Sequence, residues 1–214
     1  MNEETKKYLS ELEQYLLKNC TRKVIAADRF SNILGILIDI KPSCIIDFTK
    51  EDFKDIDRKD FEKYLKKLGL VFYYEKTDLG EESFVPFTHT YFISKDLDTL
   101  SLIVDAEHEL YDHFDTDEPN APVVKIIHRK IGRLLGYPET ATDYFLLRSE
   151  KMNLDELTEE EIQKDLNYHH FIHSRLNGED EFNAYDRPIH EAMEKYAPNA
   201  AKILKESNLE KRWL

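Results

Sequence analysis

The sequence predicts an α+β fold, with a small sheet of about three short strands in the N-terminal half and a helix-rich C-terminal half. Three patterns lead there. Apolar residues recur at helical spacing through residues 3–38. Short aromatic and β-branched runs occupy 44–48, 70–76 and 88–94, and from Asp96 the helical period runs almost to the end.

A first helix is expected over 3–18, where Tyr8, Leu12, Tyr15 and Leu16 share a face. A second spans 23–38 on Ala26, Phe30, Ile33, Leu34 and Leu37, its end readable as helix or strand, until Lys41-Pro42 stops it. Cys44 to Phe48 reads as a short buried strand. Thr49 and Asp52 suit a capping box opening a brief helix. Asp57 caps another that carries Phe61, Tyr64, Leu65 and Leu68 and is closed by Gly69. Two strands follow at 70–76 and 88–94, joined by a connection longer than a tight hairpin. Helices are then expected at 96–114, 121–135, 138–149, 158–175 and 187–206, the last interrupted near Pro198, with 177–181 a surface loop. No internal repeat or low-complexity linker divides the chain. It is read as one domain over 1–214, with a possible division into a mixed part at 1–95 and an all-helical part at 96–214.

Charge narrows the classes of function. With 43 Asp and Glu against 30 Lys and Arg, the formal charge is -13. Such a field repels phosphate backbones and anionic membranes over most of the surface. Cys20 and Cys44 form no metal-knuckle or redox spacing, which suits a reducing compartment. The polar, mixed-charge start is no signal peptide, and no apolar run approaches the roughly 18 residues of a membrane span. The expected location is the cytoplasm.

Residues 128–138 read H-R-K-I-G-R-L-L-G-Y-P. Gly136 suits a left-handed helix terminator and Pro138 the first turn of the next helix, with Leu134 and Leu135 as core. Over about residues 90–148 the chain resembles a largely archaeal family with an H-x-x-I-G-x-L-L-G-Y-P signature and no established activity. The resemblance implies a fold context and nothing about chemistry. The cysteine pair that usually follows that signature is absent, since Glu139-Thr140-Ala141 stands there. On the same helix Lys125, Arg129 and Arg133 recur one turn apart, a basic stripe that either pairs with internal carboxylates or receives an anionic ligand.

The remaining anomalies are polar residues at apolar positions. On the 96–114 helix, Glu107 falls within the face formed by Leu100, Ile103, Val104, Tyr111 and Phe114. A carboxylate there must be paired, protonated or metal-bound, so it is a candidate for a raised pKa and acid/base work. If the next helix folds back antiparallel, His128 stands at about the height of Glu107, and a contact between them would orient an imidazole as base or ligand. His169 and His173 lie one turn apart on the inner face of the 158–175 helix, a spacing that lets two imidazoles share a metal. With Glu107 they suggest a two-histidine, one-carboxylate site for zinc, iron or manganese, although no cofactor is firmly implied. The pair His108 and His113, around Asp112, is expected on an exposed, solvated face.

Two functions follow. One is a binding or catalytic site for a small acidic or phosphorylated ligand, built on Glu107, His128 and the C-terminal histidines beside the Lys125/Arg129/Arg133 stripe. The other is a non-catalytic adaptor that binds a protein through its acidic helical surface.

Overall fold

The computed structural model describes residues 1–76, 87–114, 121–151 and 178–211. Local chemistry starts each element. The Asn2 side chain accepts from the Thr5 amide at 2.8 Å and caps α1 (Glu3–Asn19), which buries Leu9, Leu12 and Leu16. Helix α2 (Lys23–Leu37) places Ala26, Phe30, Ile33 and Leu34 in the same core and stays helical to its end. The chain then turns through Asp39 in the left-handed region (φ 63°) and enters β1 (Ser43–Thr49).

After β1, the Asp52 amide donates to the Thr49 hydroxyl, the first bond of a capping box, but that hydroxyl in turn donates to the Asp52 carboxylate, and residues 50–55 form turns rather than the brief helix expected. No apolar repeat follows to extend it. Asp52, only 1% exposed, is also gripped by the Arg22 guanidinium, which holds its carboxyl below the usual range. Asp57 caps α3 (Arg58–Lys67), accepting from the Lys59 and Asp60 amides. Gly69 ends it in the left-handed conformation, where the Gly69 and Leu70 amides donate back to Lys66 and Leu65.

Strands β2 (Val71–Lys76) and β3 (Phe87–Ser94) complete a three-stranded antiparallel sheet in the order β1-β3-β2. Alternation along the strands divides its faces. Cys44, Ile46, Phe48, Tyr91 and Ile93 face a core shared with α1, α2 and α3. Ile45, Val71 and Phe92 face α4 (Leu97–Phe114) and α5 (Pro122–Leu134). Both cysteines are buried and free.

Helix α6 (Glu139–Lys151) follows a Schellman turn. The Gly136 amide donates to Arg133 and the Tyr137 amide to Gly132, with Gly136 at φ 80°. This turn lies directly on residues 40–42, and the buried Lys41 ammonium stands 5.8 Å over the Tyr137 ring. Burial lowers the Lys41 pKa, with Cys44, Asp28 and Asp186 opposing the shift.

At the C-terminal end, 178–181 is a short helix, α7 (Gly178–Glu181), rather than the surface loop expected, and Glu181 is buried against Thr140. It runs through a π-helical turn (Phe182–Asp186) into α8 (Arg187–Tyr196) and α9 (Pro198–Lys211). Ile189, Met193, Ala197 and Ala200 return to the α1–α2 core. There the buried Glu13 carboxylate accepts from the Ala200 amide at 2.9 Å, satisfying a donor in the first turn of α9. Among the described residues no helix is long and apolar enough to cross a membrane.

Candidate functional site

Helix α4 lies across one face of the sheet because Leu100, Ile103, Ala106 and Leu110 form its apolar stripe. Glu107 follows Ala106 at the edge of that interface and is partly buried. Beneath it the face changes character. Lower on the strands Ile45, Phe92 and Val71 are apolar, but the register then sets Asp47, Thr90 and Glu75 side by side across β1, β3 and β2. The Thr90 hydroxyl donates to the Asp47 carboxylate at 2.7 Å. His108 Nε2 meets Glu75 Oε1 at 2.5 Å, and its ring stands edge-on to Tyr73 with centroids 6.4 Å apart.

Burial and one member of this row, Asp47, set the electrostatics of Glu107. Burial and then the Asp47 charge push its pKa up from 4.5 to about 7, against a smaller opposing effect of His108. It makes no hydrogen bond or ion pair among the described residues. Tyr111, one turn on, has its hydroxyl pKa raised by burial and by Glu107, Asp47 and Glu75. The sheet end is thus a concentration of negative charge containing one carboxyl that takes up its proton near neutrality.

The structure does not bring Glu107 to His128. The neighbours acting on Glu107 are Asp47 and His108. His128, on α5, turns toward α6 and stands edge-on to Phe145, with centroids 5.7 Å apart and planes at 71°. Its pKa is lowered by burial alone. The two helices pack on each other, but the two side chains meet different neighbours.

The basic stripe is also resolved by α6. Arg129 Nε lies 2.9 Å from Asp143 Oδ1, and Arg133 Nη2 lies 2.5 Å from Glu139 Oε1. Each arginine proposed for an anionic ligand is therefore engaged by a carboxylate of the same chain. Lys125, the third member, also has an interaction partner. Both arginines of the stripe thus take the first of the two expected arrangements, pairing with internal carboxylates.

His169 and His173 lie outside the described residues, as does the helix expected at 158–175. Among the described residues no three His, Cys, Asp or Glu side chains are grouped to hold a metal ion, Glu107 included.

Asp47, Thr90, Glu75 and His108 are the members the sequence reading missed. Alternation within the strands would have placed Asp47, Thr90 and Glu75 on the α4 face, since each is an even number of residues from an apolar member of that face. His108 is exposed, as expected, and bonds Glu75 of β2. Of the exposed apolar residues described on α4, Leu102 is about 180° from Tyr111 around the helix, and Leu97 is separated from Tyr111 by about four turns, so they form no common patch for a partner. No family model, curated protein or solved structure matches this chain.

Proposed function

We propose that the polar end of the α4-covered sheet face is a proton-exchanging binding site for a small neutral or cationic ligand. Glu107 is the group that gives and takes the proton. The observation carrying this reading is the position of Glu107, partly buried beside the Asp47 charge without a hydrogen-bond partner among the described residues, where its pKa of about 7 leaves both protonation states populated at neutral pH.

Roles follow from the surroundings. Asp47, held by Thr90, supplies a fixed acceptor and negative charge. Glu75 orients the His108 imidazole, a second group able to carry a proton. Carboxyl groups in unlike environments are a basis for dividing acid and base roles. The ligand charge follows from Coulomb's law, because Asp47, Glu75 and Glu107 together repel a phosphate or carboxylate and attract an ammonium or guanidinium. The ligand that suits this end of the sheet is thus neutral or basic.

Thermal melting with agmatine, n-butylamine, phosphate and succinate at millimolar concentration tests this reading. Either amine is expected to raise the melting temperature of the protein at pH 8 with concentration, because a ligand bound only by the folded state stabilises it by mass action. Glu107→Gln should remove most of that rise. Stabilisation by phosphate or succinate but not by the amines, or an amine effect unchanged in Glu107→Gln, would overturn the proposal.

A further inference from the structure

A second place in the molecule has the form of a ligand site, and it shares no residue with the Glu107 cluster. Between α5 and α6 lies a cavity of about 170 Å³. Gly132 determines its shape. A Cβ at Gly132 would stand only 2.7 Å from Thr142 Oγ1, so the two helices close against each other at that level. One turn earlier on α5 the side chain is His128, which meets Phe145 edge-on, and both rings border the space. Ile131, Leu135 and Ala141 supply apolar walls.

The contents of such a space follow from its size and chemistry. A space of about 150 Å³ admits a single benzene ring, and this one is open to solvent on the side of Phe145, which is itself exposed. No charged side chain lines this one. The nearest arginines in sequence, Arg129 and Arg133, are held by Asp143 and Glu139. The occupant is therefore uncharged. Three lining side chains carry polar groups: Tyr137, which packs under Lys41 and has a further partner, His128, and Thr142, which already donates its hydroxyl to the Pro138 carbonyl at 3.1 Å and retains only acceptor capacity. His128 makes no hydrogen bond among the described residues, and burial favours its neutral form, which offers one donor and one acceptor nitrogen. The edge-to-face arrangement of His128 and Phe145 suits a third ring packed against both.

We propose that this cavity binds a small, uncharged, planar aromatic molecule carrying one hydroxyl or similar hydrogen-bonding group, with the ring between Ile131 and Phe145 and the polar group at His128. The residues from His128 to Tyr137 then serve both as the turn that joins two helices and as one wall of a binding site.

Phenol and toluene are the probes, since they match in size and differ by the hydroxyl. In amide and imidazole NMR spectra of the full chain, phenol is expected to perturb residues around His128, Ala141 and Phe145 and to shift the His128 ring nitrogens. Toluene should bind the same place about tenfold more weakly, the effect of leaving a buried polar group without its partner. Ala141→Leu fills the space and should abolish binding of both. His128→Phe leaves the space open, so it should keep toluene binding and remove the advantage of phenol, a result that stands even if Ala141→Leu does not fold. Absence of perturbation around His128, equal binding of the two probes to the parent protein, or phenol binding unchanged in His128→Phe would overturn the proposal.

Discussion

The Glu107→Gln variant is expected to be more stable than the parent protein above pH 7 and equal to it near pH 4.5. The folded protein holds the Glu107 proton up to a pKa of about 7, whereas the unfolded chain releases it near 4.5. Between those values the folded state binds more protons than the unfolded one, so parent stability falls as pH rises through this window and levels off above it. The shift corresponds to about 3 kcal/mol at 1.36 kcal/mol per unit. Glutamine matches the protonated carboxyl in shape and carries no charge, so its stability lacks this decline. Urea unfolding of both proteins across the window measures the divergence, and parallel curves would show that Glu107 ionises in the folded protein as it does in water.

A comparable loss is expected from Gly136→Ala, and a much smaller one from Gly69→Ala. Both glycines end helices in the left-handed region, at φ 80° and φ 74°, where any Cβ costs about 1 kcal/mol. Their surroundings separate them. At Gly69 nothing lies within 4 Å of an added Cβ. At Gly136 it would stand 3.0 Å from both the Ile40 carbonyl oxygen and Pro42 Cδ, and 3.2 Å from the Lys41 Cα. Those neighbours are backbone atoms and a proline ring, which cannot rotate away. Yielding would separate the α5–α6 turn from residues 40–42, loosening the Lys41–Tyr137 contact and the 2.6 Å bond from the Ser43 hydroxyl to the Leu134 carbonyl. A total near 3 kcal/mol for Gly136→Ala is expected against about 1 kcal/mol for Gly69→Ala. Equal shifts in urea midpoint would show that contact with residues 40–42 contributes nothing.

The contrast between Glu107 and its neighbours shows which parts of a site are legible in a sequence. Glu107 stood out because α4 is long and amphipathic, so one carboxylate on the inward stripe breaks an otherwise regular period. Asp47 and Glu75 break no such pattern, since they lie near the ends of short strands where polar residues are ordinary. What makes them part of a site is the register that aligns both with Thr90, a relation among three separate segments. His108 is half-exposed, and its partner Glu75 lies on another element. The Glu107–His128 pairing failed for a related reason, because helical spacing gives the height of a residue but not how far a neighbouring helix is rotated. The basic stripe had its answer close by: Gly136 and Pro138 mark a turn, and the carboxylates beyond it, Glu139 and Asp143, are the ones that engage Arg133 and Arg129. The fold was more readable than the site, since caps, left-handed glycines and alternating strands act locally, as at Asp57, Gly69 and β3.

The most direct test of the proposed function is the titration of the Glu107 carboxyl carbon by NMR, with and without agmatine. In the free protein the midpoint is expected near pH 7, and agmatine should lower it, because a bound cation favours the charged carboxylate. Asp47→Asn should lower it as well, since the Asp47 charge is one cause of the shift. A midpoint near 4.5, unmoved by agmatine or by Asp47→Asn, would contradict a proton-exchanging site at the α4–sheet junction.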